Sequence, residues 1–134
     1  MKDKKFIDSN IFLYAFCDKD SQKQLIAKKL VLNDASISVQ VINEVSVNLL
    51  KKFKLSEIQI GDFINSCFTH YDIINLSKEI FITASEIRIK YKISYYDSII
   101  IATALKNKCT ILYSEDMQNG QNIENSLKIV NPFI

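Results

Sequence analysis

Glycine and proline are nearly missing: the 134 residues include two glycines and one proline. A chain so poor in turn and linker chemistry is not a disordered tether or a Gly/Ser-rich spacer. Histidine is as scarce as proline, with His70 alone. It sits at an expected helix end before a strand, where a structural role is the reading, and a mechanism built on paired histidines is disfavoured. Arg88 is the only arginine among 17 basic residues, so planar forks for phosphate are few. The three cysteines, Cys17, Cys67 and Cys109, are odd in number, far apart and form no C-x-x-C. A disulfide framework and a zinc ribbon are both disfavoured, and reduced core thiols in a cytoplasmic protein are expected. No apolar run approaches the roughly 18 residues of a membrane span. The apolar run after Lys2 to Lys5 is broken at Asp8 and Asn10, so no signal peptide is expected either.

What remains is a core-rich chain, 48% hydrophobic and 24% charged, of a length that suits one domain. The formal charge of +2 is too weak to argue nucleic-acid binding by itself. Lysines cluster at Lys2/Lys4/Lys5, Lys28/Lys29, Lys51/Lys52/Lys54 and Lys90/Lys92. Solvated helix ends account for them, and a rim facing RNA is the sharper alternative.

Strand and helix patterns alternate along the chain. Lys4 to Ile7 reads as a strand, and Asp8-Ser9-Asn10 caps a helix through Phe16. A second helix fits Ser21 to Leu32, with Leu25, Ile26, Leu30 and Val31 inward. Ile37 to Val41 is a strand running into a helix from Val41 to Lys52, whose stripe is Val41, Ile42, Val45 and Leu49. Ser56 to Thr69 is a helix with Ile60, Phe63, Ile64 and Phe68 inward, and Tyr71 to Leu76 is a strand. Ser77 caps a helix to Tyr91, and Ser94 to Asn107 is the next. Thr110 to Tyr113 is a strand, Ser114 to Gly120 a loop and Leu127 to Val130 a last strand. Singly alternating elements call for a parallel sheet covered by helices, with short apolar strands because both faces are covered.

One stretch is out of the ordinary. Ile99 to Leu105 is apolar except for Thr103, as in a buried helix, yet Asp97 sits on the same face as Ile101 and Ala104. A carboxylate on a buried face is costly unless paired, hydrogen-bonded or bound to metal. Ser94 and Asp97 also form S-x-x-D, a capping pattern. Ligands of an open parallel sheet bind beyond the carboxyl ends of its strands. Asp8 follows the first strand and Asp116 follows Thr110 to Tyr113, while Glu44 and Asp97 lie early in helices that start at that edge. Each acid has a plainer reading: Asp8 as a cap, Glu44 as a solvated flank, and Asp116 as a turn residue with Glu115 competing. Together, four carboxylates at one rim repel one another, and a divalent cation removes the conflict. Hard oxygen donors favour magnesium or manganese over zinc, and two such ions about 3.5–4 Å apart suit phosphodiester hydrolysis.

These residues resemble the PIN domain, most closely the VapC-type toxins of type II toxin–antitoxin pairs. Phe6-Ile7-Asp8-Ser9-Asn10-Ile11 is similar to the family's opening strand and first acid. Ser38 to Val45, with Glu44, resembles the second motif, and Tyr95-Tyr96-Asp97-Ser98-Ile99-Ile100-Ile101-Ala102-Thr103-Ala104 the third. Leu112-Tyr113-Ser114-Glu115-Asp116-Met117-Gln118 resembles the fourth, in a register that favours Asp116 over Glu115. The resemblance spans almost the whole chain. It implies a single PIN domain over 1–134, a three-layer α/β/α fold on a five-stranded parallel sheet. It further implies a Mg2+- or Mn2+-dependent endoribonuclease with Asp8, Glu44, Asp97 and Asp116 as ligands. Glu44 would help deprotonate the attacking water, and Asn10 and Ser114 would orient ligands or substrate. Implied partners are an RNA substrate, a second copy in a homodimer, and a small antitoxin whose C-terminal segment blocks the pocket, with the segment Leu25 to Leu55 as the dimer or antitoxin surface. A housekeeping nuclease of RNA maturation is the alternative enzyme. A non-catalytic RNA- or protein-binding module is disfavoured because all four acids stand. Tyr95 and Tyr96 precede Asp97 at the mouth. Core packing of at least one is expected, with stacking on an RNA base as the alternative.

Overall fold

A computed structural model describes residues 3–134, so the Lys2 member of the first lysine cluster lies outside it. In chain order the elements are β1 (Lys5–Ile7), α1 (Ser9–Phe16), α2 (Ser21–Leu32), β2 (Ser36–Ser38), α3 (Val39–Lys51), α4 (Glu57–His70), β3 (Asp72–Ile74), α5 (Lys78–Lys90), α6 (Tyr95–Lys106), β4 (Ile111–Tyr113), β5 (Asn122–Ile123) and β6 (Leu127–Val130).

The strands form one sheet in the order β3-β2-β1-β4-β6-β5. Every neighbouring pair is parallel except β5 with β6. The expected five parallel strands are therefore present, and β5 adds an antiparallel margin. Two residues are too few for a sequence pattern to register. The hairpin turns on Glu124 and Asn125, both in left-handed backbone (φ 52° and 53°), a conformation that asparagine tolerates better than most residues. Helices cover both faces of the sheet. α1 packs on α2 and α3, α3 on α4, and α5 on α6. No helix among the described residues is long and apolar enough to cross a membrane.

The central strands bring Phe6, Ile7, Ile37, Leu112 and Ile129 into a core closed by Val41, Val45, Leu49, Ile100 and Ile101. Fully burying side chains of this size stabilises by about 1.5–3 kcal/mol each before entropy is counted. α6 is buried without a break from Ser98 to Ala104, as its apolar run requires.

Serine and aspartate side chains start the helices. Asp8, Asp20, Ser38, Ser56, Ser77 and Ser94 each accept a first-turn backbone N–H. Ser38 explains why β2 stops short of the expected Val41: its Oγ accepts from Val41 N at 3.2 Å, so α3 begins at Val39. Two inward assignments fail. Leu25 is exposed and the small Ala27 takes the contact face of α2. Phe68 is exposed and Cys67 is buried beside it, because the buried face of α4 runs through Ile60 and Cys67.

Candidate active site

The rim is built from backbone continuations of β1 and β4. Asp8 N donates to Tyr113 O at 3.0 Å, and Ser114 N donates to Val130 O at 3.0 Å. The ladder thus sets Asp8 and Ser114 side by side just past the strand ends. Asp8 is only 4% exposed. Its Oδ1 accepts from Ser9 N at 2.7 Å, and its Oδ2 accepts from Ser114 Oγ at 2.8 Å and from Asn10 Nδ2 at 3.3 Å. Asn10 Nδ2 also reaches Asp116 Oδ2 at 3.0 Å, while Asn10 Oδ1 accepts from Glu115 N at 3.2 Å. One amide therefore spans the first and fourth acidic motifs.

Glu44 faces the rim from the second turn of α3. Its Oε2 accepts from Ser9 Oγ at 2.8 Å and its Oε1 from Gln40 Nε2 at 3.0 Å. Asp97 stands half-buried in the first turn of α6. Its backbone N–H donates to Ser94 Oγ at 3.3 Å. The reciprocal side-chain bond of a full capping box is found not here but in α4, where the Gln59 amide oxygen accepts from Ser56 N. Asp97 and Asp116 both line a polar cleft of about 250 Å³.

Electrostatics follow from this crowding. Burial pushes the Asp8 carboxyl up from 3.8 to about 7; bonds from Ser114 and Ser9 oppose the rise, and the charges of Glu44 and Asp97 add to it. Burial also raises Asp97, against the Ser94 hydroxyl and with the charges of Asp116 and Glu44. All four expected acids thus reach one rim. Among the described residues no three acidic, histidine or cysteine side chains close into a ready-made metal cage. Ser9 and Asn10 bridge neighbouring carboxylates instead. The donor set still fits a hard divalent cation: it is all carboxylate oxygen, and two of its members are driven towards protonation by burial and by the charges of neighbouring acids.

Glu115 is held apart from Asp116. Its Oε1 accepts from Tyr14 OH and its Oε2 from Lys23 Nζ, both at 2.6 Å. Burial pushes this carboxyl up, but the Lys23 and Tyr14 bonds outweigh burial and leave it below its ordinary value. Sequence reasoning missed Ser9, Gln40, Tyr14 and Lys23. Only Gln40, four residues before Glu44 on one helix, left a legible spacing. His70 lies against Tyr71 and faces Asn33 O at 3.3 Å, in line with its structural reading. The packing expectation for the tyrosines is overturned. Tyr95 and Tyr96 are 53% and 68% exposed, edge to face at 5.5 Å. The Arg88 guanidinium lies 4.6 Å over Tyr95 and is anchored through Nη1 to Ser98 Oγ at 2.6 Å. A burial-driven role needed these rings to point inward, and α6 turns Ser98 and Ile99 inward instead.

Several solved structures share this fold. A toxin–antitoxin complex from Klebsiella pneumoniae is similar at TM-score 0.70 and 23% identity, covering 96% of this chain and 98% of that one. VapC20 of Mycobacterium tuberculosis, described as a sarcin–ricin loop cleaving toxin, gives 0.66 at 15% identity over 84% and 92%. VapBC2 of Rickettsia felis, bound to a fragment of its promoter DNA, gives 0.65 at 19% over 93% and 96%. No curated protein matches the sequence significantly. The PIN domain model matches residues 5–118, from the first residue of β1 to just beyond Asp116. With that match over most of its length, and with a parallel sheet ending in an acidic rim, the chain belongs to the PIN domain family.

Proposed function

We propose that this chain is a metal-dependent endoribonuclease and the toxin of a toxin–antitoxin pair. The observation that carries the reading is the meeting of Asp8, Glu44, Asp97 and Asp116, from four separate segments, at one sheet edge, with Asp8 and Asp97 pushed up first by burial and then by the charges of neighbouring acids. Those four carboxylates would hold Mg2+ or Mn2+. A bound divalent cation supplies charge neutralisation, a more acidic water and stabilisation of the leaving oxygen.

The chain's own residues do the rest. Ser9 N, Ser114 Oγ and Asn10 Nδ2 fix the Asp8 carboxylate, and Asn10 fixes Asp116 in the same act. Glu44 is steered by Ser9 and Gln40 through one lone pair on each oxygen. The remaining lone pairs accept the proton of the attacking water. Two of the structures named above support the toxin assignment: one is described as a sarcin–ricin loop cleaving toxin and another as a toxin–antitoxin complex. An antitoxin and a second copy of the chain are the expected partners.

The test is cleavage of RNA by the purified chain with Mn2+ or Mg2+, with chelator, and beside Asp97→Asn. Metal-dependent cleavage lost in the variant is expected. Cleavage that survives chelator or the substitution would refute the assignment.

A further inference from the structure

The cleft of about 250 Å³ beside Asp97 and Asp116 has more in its walls than the acids use. Gln118, Gln121 and the exposed Lys92 line it, with the buried Ile101 and Ile129 behind them. The bonds that shape this wall are made by the backbone: Gly120 N donates to Ile129 O, Gln121 N to Gln118 O, and Ile129 N to Gln121 O. Gly120, at φ 83°, makes the turn that folds the segment back, and β5 pins its far end to β6. The wall is therefore held rigidly while two side-chain amides are left for a ligand. Each amide offers both donor and acceptor, the pattern needed to read the edge of a base. The volume falls below the roughly 300–1,000 Å³ of drug-sized pockets, which suits one planar base and not a stacked run.

Resting on the ribonuclease reading, we propose that this cleft is a subsite for one unstacked nucleotide next to the scissile phosphate. Gln118 and Gln121 select its base by hydrogen bonds to the edge, and Lys92 contacts a flanking phosphate. Unpaired RNA is the expected substrate, because base edges are open to side chains only where bases are splayed out.

Binding separates this from the parent reading. Short fluorescent RNAs, varied at one position at a time, are titrated against the Ca2+-loaded chain. The wild type should favour one base at one position by about tenfold or more, and Gln118→Ala/Gln121→Ala should flatten that preference. Gln121→Glu, which removes donors and keeps shape, should move the preference towards bases that present donors. Lys92→Ala should weaken all the RNAs alike and lower the salt dependence by about one phosphate contact. Equal affinity of the wild type for all four bases, or an unchanged preference in the folded double variant, overturns the subsite. Cleavage of the same RNAs in Mn2+ is read separately, and its failure counts against the nuclease reading alone.

Discussion

The Asn10 side-chain amide donates to the Asp116 carboxylate at 3.0 Å, joining residues 106 apart in sequence. It touches Asp8 at 3.3 Å as well, so one neutral group sets the spacing of two acids that would otherwise repel. Removing it releases the Asp116 carboxylate and leaves Asp8 to Ser9 N and Ser114 Oγ. Asn10→Ala should lower Mn2+ affinity or cleavage about 10- to 100-fold, as loss of an outer partner usually does. Calorimetric titration with Mn2+, run beside a cleavage assay, reads this directly.

The raised Asp8 carboxyl links stability to pH. Its value moves from 3.8 to about 7 on folding, so the folded chain keeps this proton longer than the unfolded one. The contribution is fully present below pH 4 and is lost as pH rises through 7. Metal-free protein should therefore lose thermal stability between pH 5 and pH 8 through this group, and Asp8→Asn should flatten that part of the slope. Mn2+ should raise Tm more at pH 8 than at pH 5. Melting curves with and without metal at both pH values provide the check.

Two substitutions in α6 should behave oppositely. Ile101 is fully buried, and Ile101→Ala should cost about 2–5 kcal/mol. Tyr96 is 68% exposed, and Tyr96→Ala should stay within about 0.5 kcal/mol of wild type. Urea unfolding measures both. A large loss at Tyr96 would restore the packing role that the geometry denies it.

The Lys23 bond to Glu115 keeps a competing carboxylate off the rim. Lys23→Met should release Glu115 and disturb the loop carrying Asp116, reducing cleavage with little change in the circular dichroism spectrum. Activity equal to wild type would mean that Tyr14 alone suffices to hold Glu115.

The sequence carried the rim better than its supports. Asp97 stood out because a carboxylate interrupts a buried face, a conflict visible one helical turn at a time. Asp8 and Asp116 were legible because each follows a short apolar strand. Ser9 and Lys23 were not, since their partners Glu44 and Glu115 lie 35 and 92 residues away and no local pattern encodes such a meeting. Ser38 misled because an extended residue and a helix cap share the same backbone region. Tyr95 and Tyr96 misled because bulky aromatics usually seek the core.

The two margins of the sheet carry a last consequence. β3 offers three residues, with the exposed Asp72 facing Lys4 at 3.8 Å, and β5 offers only two before the chain turns away. Edges so short, one of them carrying an exposed carboxylate, are poor templates for adding a foreign strand. The folded chain should thus resist amyloid-like templating even when concentrated, and copies that associate should do so through helical faces.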